Sequence, residues 1–294
     1  MIRKMSNILK KKKLTIICGP TAVGKTRYGA LLAKQLKTEV ISADSRQFYR
    51  ELRIGTASPT PEEMMGVPHH FIGHLFLTDY YNVSLFEQDV LCLLEKLFAR
   101  HDEVIMVGGS GLYIDAVCRG IDDFPDADPV LRKMIKEELN AGGLEPLRQR
   151  LLSLDPEYYH QVDLNNPNRV MRAIEVCLVT GRKYSEQRTS PARERVFEIG
   201  KIGLNTDRGT LFRRIEDRVD SMMEAGLLEE VRSLTQYRHL NALNTVGYKE
   251  LFNYLDGIWT LPEAIEKIKT NTRRYAKRQL TWFKRDESIQ WIEL

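Results

Sequence analysis

Residues 14–18 (LTIIC) form a short apolar run, and the octapeptide GPTAVGKT at 19–26 follows it directly. An apolar run of this length that stops at a glycine predicts a buried strand entering a loop. The octapeptide matches G-x-x-x-x-G-K-[ST] without a mismatch, the pattern of a loop that surrounds a phosphate with backbone N–H groups. From about Lys25, leucines spaced for one buried face predict a helix. The chain is therefore expected to hold a phosphate-binding loop (P-loop) between a strand and a helix.

The same alternation of elements continues along the chain. A second strand is predicted around 39–42, a helix at 84–99 and a third strand at 104–107. Ser84 and Glu87 match a capping box at the start of that helix, with the preceding valine as its hydrophobic staple. Strands that are nearly continuous in apolar residues and separated by helices are typical of a parallel sheet covered on both faces.

The predicted fold class is therefore α/β, a P-loop NTPase-like parallel sheet core with helices on both faces. Ligands of such sheets bind at the carboxyl ends of the strands. Here those ends are residues 19–26, 44–49 and 108–113.

The character of the sequence changes after Gly120. An acidic, turn-rich segment is followed by predicted helices at 129–140, 144–153 and 167–179, and a strand-like segment returns at 196–204. A long helix from about residue 210, interrupted near Gly226, and a final strand complete the chain. We interpret 1–121 as the first part of the core, 122–193 as an all-helical insertion, and 194–294 as the second part of the core with a basic C-terminal helix.

Composition narrows the functional class. No apolar stretch approaches the ~20 residues that a membrane-spanning helix needs, and the N-terminal apolar run is too short for a signal peptide, so a cytoplasmic location without a membrane partner is expected. The cysteines at 18, 92, 118 and 177 form no CxxC pair, which favours reduced, buried thiols over a disulfide scaffold or zinc site. Residues 267–285 hold eight Lys or Arg and no acidic residue, which indicates a phosphate-rich partner or, alternatively, a solvated basic helix face.

The loop alone does not define the reaction. Most P-loop proteins transfer or cleave a γ-phosphoryl group and have a strand ending in an aspartate near Mg²⁺. The strand at 104–107 leads instead to Gly-Gly-Ser-Gly, whereas Asp44 stands with Ser45, Arg46 and Gln47, a set suited to contacting a base and a phosphate. Asp44 is a candidate general base, with a magnesium-ligand role as the alternative.

Motifs across almost the whole chain resemble the tRNA dimethylallyltransferase (tRNA isopentenyltransferase) family. They are GPTAVGKT (19–26), DSRQFY (44–49), GTASPT (55–60), VPHHFIG (67–73), GGSGLY (108–113), NNPNRVMRAIEV (165–176), RVDSMMEAGLLEEV (218–231), VGYKE (246–250) and TRRYAKRQLTWFKR (272–285). The resemblance implies Mg²⁺-dependent transfer of the dimethylallyl group from dimethylallyl diphosphate to N6 of an adenosine in tRNA, at position 37 beside the anticodon. It also implies that the insertion clasps the anticodon stem.

Site residues follow from the motifs and the resemblance together. Lys25 and Thr26 are expected to act on the leaving diphosphate, Thr26 by holding Mg²⁺, and Asp44 to accept the N6 proton. Expected diphosphate contacts are Gly19, Pro20, Thr21, Ala22, Val23, Gly24, Lys25, Thr26 and Arg214, with Arg218 as the substitute for Arg214. Expected tRNA contacts are Asp44, Ser45, Arg46, Gln47, Ser110, Arg132, Asn168, Arg169, Val170, Met171 and Arg172.

Three other points remain as expectations. Tyr275 and Trp282 are assigned to the core, and His69 and His70 to structural roles. No protein partner is implied. The alternatives to prenyl transfer are a P-loop small-molecule kinase using ATP and a nucleotide-gated RNA-binding switch, both of which would depend on ATP or GTP.

Overall fold

A computed structural model describes residues 12–122, 124–126, 128–188 and 193–294. Residues 1–11 of the predicted core, and residues 123, 127 and 189–192 of the predicted insertion, lie outside the described residues.

Six parallel strands form one sheet in the order β3-β2-β4-β1-β5-β6. The order places β1, which carries the P-loop at its end, in the interior of the sheet between β4 and β5. The strands are β1 (Lys13–Cys18), β2 (Val40–Ala43), β3 (His69–His70), β4 (Glu103–Gly108), β5 (Glu198–Asn205) and β6 (Ile289–Glu293).

Helices account for most of the remaining regular structure. The helices of the sheet-containing unit are α1 (Lys25–Leu36), α2 (Pro61–Met64), α3 (Val83–Phe98), α4 (Gly111–Arg119), α10 (Arg208–Glu224), α11 (Leu227–Ser233), α12 (Tyr248–Leu255) and α13 (Leu261–Phe283). Those between them in the sequence are α5 (Pro129–Gly142), α6 (Glu145–Leu154), α7 (Pro156–Gln161), α8 (Pro167–Thr180) and α9 (Tyr184–Gln187).

Alternate residues of the central strands enter two separate hydrophobic clusters. Leu14 and Ile16 of β1 pack in one cluster with the apolar face of α3, whereas Ile17 packs in the other with residues of α1 and α10. Because successive side chains of a strand point to opposite faces, helices cover the sheet on both sides. The predicted α/β fold class is confirmed.

The N-terminus of α3 differs from the prediction. The helix begins at Val83, and the side chain of Asn82 caps it by accepting a hydrogen bond from the Leu85 backbone N–H. Asparagine caps as well as serine does, and with this cap the helix spans Val83–Phe98 instead of the predicted 84–99. Ser84 is therefore not the cap, and Glu87 is buried, where it accepts a hydrogen bond of 2.6 Å from Arg195.

Residues Arg119–Arg193 form a compact unit of their own. Its described residues contain helices α5 to α9 and no strand. Fully buried Ile135, Leu147 and Leu151 pack with Val170 and Ile174 in its core. The unit thus has a hydrophobic core independent of the sheet.

Two expectations from composition can be checked. No described helix is long and apolar enough to cross a membrane. Cys18, Cys118 and Cys177 are free and buried, as expected, whereas Cys92 is free but exposed, so its predicted burial is wrong. Cys92 lies between Leu91 and Leu93 in α3, and its position on the helix turns it toward solvent.

Candidate active site

A cavity of about 580 Å³ opens where β1, β2 and β4 end. The P-loop follows the first strand, Asp44 follows the second, and Gly108 and Gly109 mark the end of the third. The strand ends predicted to hold ligand groups therefore meet in one place. Polar residues on its wall include Thr21, Lys25, Thr26, Ser42, Asp44, Gln47 and Arg218.

The P-loop adopts backbone angles that favour glycine. Gly19 and Gly24 have φ of 138° and 103°, and a Cβ at Gly19 would also overlap the Leu204 carbonyl. The α1 helix begins at Lys25, which brings its N–H groups and positive dipole end to the cavity. The loop can therefore surround an anion with backbone N–H groups.

The side chain of Lys25 is fixed beside this loop by a hydrogen bond. Its Nζ donates a 2.6 Å hydrogen bond to the Pro20 carbonyl. Burial, together with the nearby charge of Arg218, lowers the pKa of Lys25 to about 8, and the charge of Asp44 partly opposes this shift. The negative charge of a diphosphate in the cavity would stabilise the ammonium form of Lys25 and so oppose both effects.

Two arginines of α10 lie near the loop, but only Arg218 is among the cavity-lining residues. Its Nη1 donates to the Thr21 Oγ1 at 3.3 Å, and burial lowers its pKa. Arg214 donates instead to the Val23 carbonyl at 3.4 Å. Arg218 is thus placed to contact a diphosphate, and Arg214 to support the loop.

Asp44 is a partly buried carboxylate on the cavity wall. Burial raises its pKa, while the Arg46 backbone N–H, which donates to Oδ1 at 3.0 Å, and the charge of Lys25 act in the opposite direction. A carboxylate with a raised pKa is a better proton acceptor than an exposed one, provided that the pH stays above that pKa.

The residues after Asp44 are joined to the loop after β4. The Ser110 Oγ accepts the Ser45 backbone N–H at 3.0 Å. The Gln47 amide accepts from the Ser42 hydroxyl and donates to the Thr56 and Ala57 carbonyls at 3.1–3.2 Å. Gln47 therefore fixes a neighbouring stretch of the cavity wall.

Sequence reasoning placed Tyr275 in the core, and this assignment is wrong. The Tyr275 phenol hydrogen-bonds with Ser110. Burial and the nearby charge of Asp44 both raise the pKa of Tyr275. Tyr275 is only partly buried and belongs to none of the three hydrophobic clusters. Trp282, in contrast, packs against the main hydrophobic cluster as expected and donates to Asp115 at 3.1 Å.

Reasoning from the sequence also overlooked Gln279 and Glu230. Gln279 bonds to the P-loop and to the loop after β4, and Glu230 bonds to the stretch beginning at Arg53. Both lie within motifs quoted above, at 272–285 and 218–231, but a motif does not show which residues far away in the sequence its side chains contact.

The predicted tRNA contacts of the helical unit fall into three environments. Asn168 and Arg169 are exposed at the start of α8. Val170 and Met171 are buried in the core of the unit, so their side chains support the exposed pair from below.

Arg132 and Arg172 share the third environment. Both approach the buried carboxylate of Glu175, at 2.8 and 3.7 Å, and Arg172 also donates to the Pro125 carbonyl at 2.8 Å. Both side chains remain partly exposed, although the Arg132 Nη1 atom beside Glu175 is buried.

The basic segment of α13 divides in a similar way. Arg273 pairs with Glu216 and bonds to Thr270, whereas Lys277 and Arg278 are exposed. His69 and His70 form β3. The His70 Nε2 lies 2.6 Å from Glu39, which suits the structural role expected for His70, whereas His69 lines the cavity.

A divalent cation would need oxygen ligands at the P-loop. The described residues contain no cluster of three or more His, Cys, Asp or Glu side chains suited to a metal. The Thr26 hydroxyl lines the cavity, with Asp44 on the same wall. This sparse set fits Mg²⁺, which keeps several waters and takes its other ligands from substrate phosphates.

A P-loop at the carboxyl end of a doubly covered parallel sheet defines an α/β protein of the P-loop NTPase-like class. Within that class, the chain belongs to the IPP transferase family, whose model matches residues 47–286.

Curated relatives match nearly the full length of the chain. A Bacteroides thetaiotaomicron protein named tRNA dimethylallyltransferase 1 is 54% identical over 279 residues, covering 95% of this chain and 91% of its own length. The tRNA dimethylallyltransferase of Christiangramia forsetii is 49% identical over 277 residues, covering 94% and 92%.

Two solved structures also match nearly the full length of the chain. The full-length tRNA isopentenylpyrophosphate transferase of Bacillus halodurans matches with a TM-score of 0.70 at 40% identity, covering 96% of this chain and 90% of its own. A eukaryotic dimethylallyltransferase acting on tRNA matches with a TM-score of 0.76 at 28% identity, covering 96% and 74%.

Proposed function

We propose that this protein transfers the dimethylallyl group from dimethylallyl diphosphate to N6 of the adenosine beside the anticodon of tRNA, releasing diphosphate. The observation that carries the proposal is that Lys25, Thr26 and Asp44 line one cavity. A phosphate cradle and a proton acceptor are thus available to one pair of substrates. Family membership supports this function over an ATP-dependent kinase.

The donor side of the site would stabilise the leaving group. An exocyclic adenine amine is a weak nucleophile, so the reaction depends on breaking the C1–O bond, which leaves a resonance-stabilised allylic cation. Negative charge then grows on the diphosphate. Lys25, Arg218 and the N–H groups at the start of α1 are placed to stabilise it.

The acceptor side would handle the proton. As N6 bonds to C1, the amine becomes positively charged and must lose a proton. The Asp44 carboxylate takes that proton, so the products are the N6-dimethylallyl adenosine, the diphosphate and a protonated Asp44 that returns its proton to solvent. The proposal gives Ser45, Arg46 and Ser110 the task of holding the nucleotide, with its base turned out of the stack.

Thr26 would hold Mg²⁺ through its hydroxyl, with Asp44 able to contribute through water. When bound, the ion adds positive charge at the diphosphate oxygens. EDTA is expected to abolish transfer, and excess Mg²⁺ to restore it.

The remaining parts of the proposal concern tRNA and the cell. We assign the anticodon stem to the exposed α8 strip, Asn168 and Arg169, and to the partly exposed Arg132 and Arg172. A cytoplasmic location follows from the proposed substrate, because tRNA is present there.

The test is incubation with Mg²⁺, dimethylallyl diphosphate and unmodified tRNA, followed by mass spectrometry of the nucleosides. We expect one dimethylallyl group on adenosine without any need for ATP or GTP. If the adenosine stays unmodified while the protein hydrolyses ATP, the proposed function is wrong.

A variant pair assigns the base. Asp44→Asn keeps the side-chain shape but cannot accept the proton, so kcat should fall about 10²–10⁴-fold with tRNA affinity kept within about threefold. Glu95→Gln removes an exposed carboxylate on α3 and should change neither quantity. Parallel losses of kcat and tRNA affinity in Asp44→Asn would make Asp44 a recognition residue instead.

A further inference from the structure

Gln279 joins the two sides of the active site through one side chain. It lies in α13 and is only 5% exposed. Its Oε1 accepts the Thr21 backbone N–H at 2.8 Å, and its Nε2 donates to the Gly109 carbonyl at 3.0 Å. The Thr21 partner belongs to the P-loop, and the Gly109 partner to the loop after β4.

The two bonds require an amide in one orientation. A rotated amide would set its N–H groups against the Thr21 N–H and its oxygen against the Gly109 oxygen. A carboxylate offers acceptors to both partners, and an apolar side chain offers nothing to either. Glutamine is thus the side chain of this length that satisfies both loops. Loss of the bridge would leave the Thr21 N–H and the buried Gly109 carbonyl without this partner.

Gly109 makes the short bridge possible. A Cβ at this position would overlap the Gln279 Nε2 and would also lie 3.7 Å from the Lys25 Nζ. The absence of a side chain at Gly109 therefore lets Gln279 and Lys25 approach the same backbone.

Each end of the bridge leads to one substrate of the proposed reaction. Thr21 is a P-loop residue, and its hydroxyl accepts from Arg218 at 3.3 Å. Gly109 precedes Ser110, whose Oγ accepts the backbone N–H of Ser45. The bridge therefore spans from the diphosphate cradle to the group of residues assigned to the adenosine.

We propose that Gln279 is a positioning residue that sets the separation between the allylic diphosphate and the adenine amine. The inference rests on the proposed function. Gln279 contacts neither reacting atom; it holds the two loops that do. Because a small change in the distance between reacting atoms has a large effect on rate, the bridge is expected to act on the bond-forming step more than on binding.

A loosened bridge has a specific chemical consequence. If the amine lies too far from C1, water reaches the allylic carbon instead. The C1–O bond to diphosphate still breaks, a new C–O bond forms with water, and one water proton is released, which gives dimethylallyl alcohol and diphosphate. Released diphosphate then exceeds prenylated adenosine, whereas a misfolded fraction lowers both products equally.

The test compares Gln279→Met, which keeps the volume but loses both bonds, with Gln279→Asn, which is too short to reach both loops. Thr281→Ala, an exposed change on the same helix, is the control. We expect both Gln279 variants to lower single-turnover transfer at saturating substrates about 10–100-fold. We expect the ratio of diphosphate to prenylated adenosine to rise several-fold, while the KM for dimethylallyl diphosphate and the Kd for tRNA change less than about threefold.

The possible outcomes distinguish failure of the proposed function from failure of the positioning role of Gln279. Wild-type protein without transfer activity refutes the proposed function. Active wild type with Gln279 variants that keep their rate, that lose only substrate affinity, or that keep a product ratio of one refutes the positioning role. If both variants fail to fold, as judged by thermal unfolding, Gln279 is a structural residue and the inference is also wrong.

Discussion

The Tyr248 hydroxyl donates a 2.6 Å hydrogen bond to the carboxylate of Glu230, and the same carboxylate holds part of the active-site wall. Its oxygens accept the backbone N–H groups of Arg53, Ile54 and Gly55 at 2.8–3.0 Å. Arg53 and Ile54 begin a stretch that lines the cavity. Glu230 of α11 thus fixes residues 53–55 of this loop, and Gln47 fixes the next two residues, Thr56 and Ala57.

We expect Glu230→Gln to weaken both the fold and donor binding. One oxygen becomes an NH₂ group that faces backbone N–H groups, so donors meet donors and about 1–3 kcal/mol of unfolding free energy is lost. The released loop raises the KM for dimethylallyl diphosphate several-fold without a matching change in tRNA affinity. Urea unfolding and steady-state kinetics measure the two effects.

Two variants make this prediction specific. Glu229→Gln removes an adjacent, exposed carboxylate and should leave both quantities unchanged. Tyr248→Phe keeps the three backbone hydrogen bonds and should cost about 1 kcal/mol with little effect on KM. A Glu230→Gln protein with wild-type stability and KM would show that the carboxylate does not hold the loop.

The pKa of Lys25 predicts an alkaline limit to activity. Burial and Arg218 lower this pKa to about 8, so the positive charge is lost as the pH rises through that value. Below it the charge is present and attracts the diphosphate. Above it, kcat/KM for dimethylallyl diphosphate should fall about tenfold per pH unit, as expected for loss of one proton from the free enzyme.

The bound state provides the internal comparison. A diphosphate against Lys25 stabilises the ammonium form, so the corresponding fall in kcat should lie at a higher pH than the fall in kcat/KM. Lys25→Arg remains charged throughout and should lack the alkaline limb, whatever its absolute rate. An alkaline limb that persists in Lys25→Arg would assign the titration to another group.

The parts of the site that the sequence predicted share one property, which is that each is local. The P-loop and Asp44 follow strands that an apolar run makes visible, and parallel strands bring their carboxyl ends together. The α/β class is predictable for the same reason. The cap of α3 shows the limit of local patterns, because Asn82 and Ser84 are both good capping residues and the sequence does not decide between them.

The missed residues depend on contacts across the fold. Gln279 meets Thr21 across 258 positions, and Glu230 meets Arg53 across 177. Tyr275 is an aromatic residue of a kind often found in cores, yet its position on α13 directs its side chain toward Ser110. No spacing rule encodes these pairs, because they follow from how α11 and α13 pack on the sheet.

The helical unit separates two kinds of arginine, and we expect them to fail differently. Arg169 is exposed, so Arg169→Gln should leave the fold intact, weaken tRNA binding and reduce the slope of log affinity against log salt by about one. Arg132 lies 2.8 Å from Glu175, which is 1% exposed. Arg132→Gln should therefore lower unfolding free energy by about 1–3 kcal/mol, because a buried carboxylate loses a partner.

A second substitution separates charge from packing in this pair. Adding Glu175→Gln to Arg132→Gln removes the buried charge that has lost one of its two arginine partners and should recover part of the lost stability. Filter binding over a salt series and thermal unfolding measure the two classes of effect. An unchanged salt slope in Arg169→Gln would remove that residue from the tRNA interface.

Arg218 and Arg214 lie one helical turn apart on α10 but should differ sharply in function. Arg218 lines the cavity, so Arg218→Gln should raise the Kd for inorganic diphosphate and the KM for dimethylallyl diphosphate about tenfold or more. Because Arg218 lowers the pKa of Lys25, its loss should also move the alkaline limb of kcat/KM to higher pH. Arg214→Gln removes a 3.4 Å bond to the Val23 carbonyl and should change the Kd less than about threefold, with the limb in place. Calorimetric titration with diphosphate measures the affinities. A larger effect in Arg214→Gln than in Arg218→Gln would reverse the assignment, because support of the P-loop would then matter more than positive charge at the cavity wall.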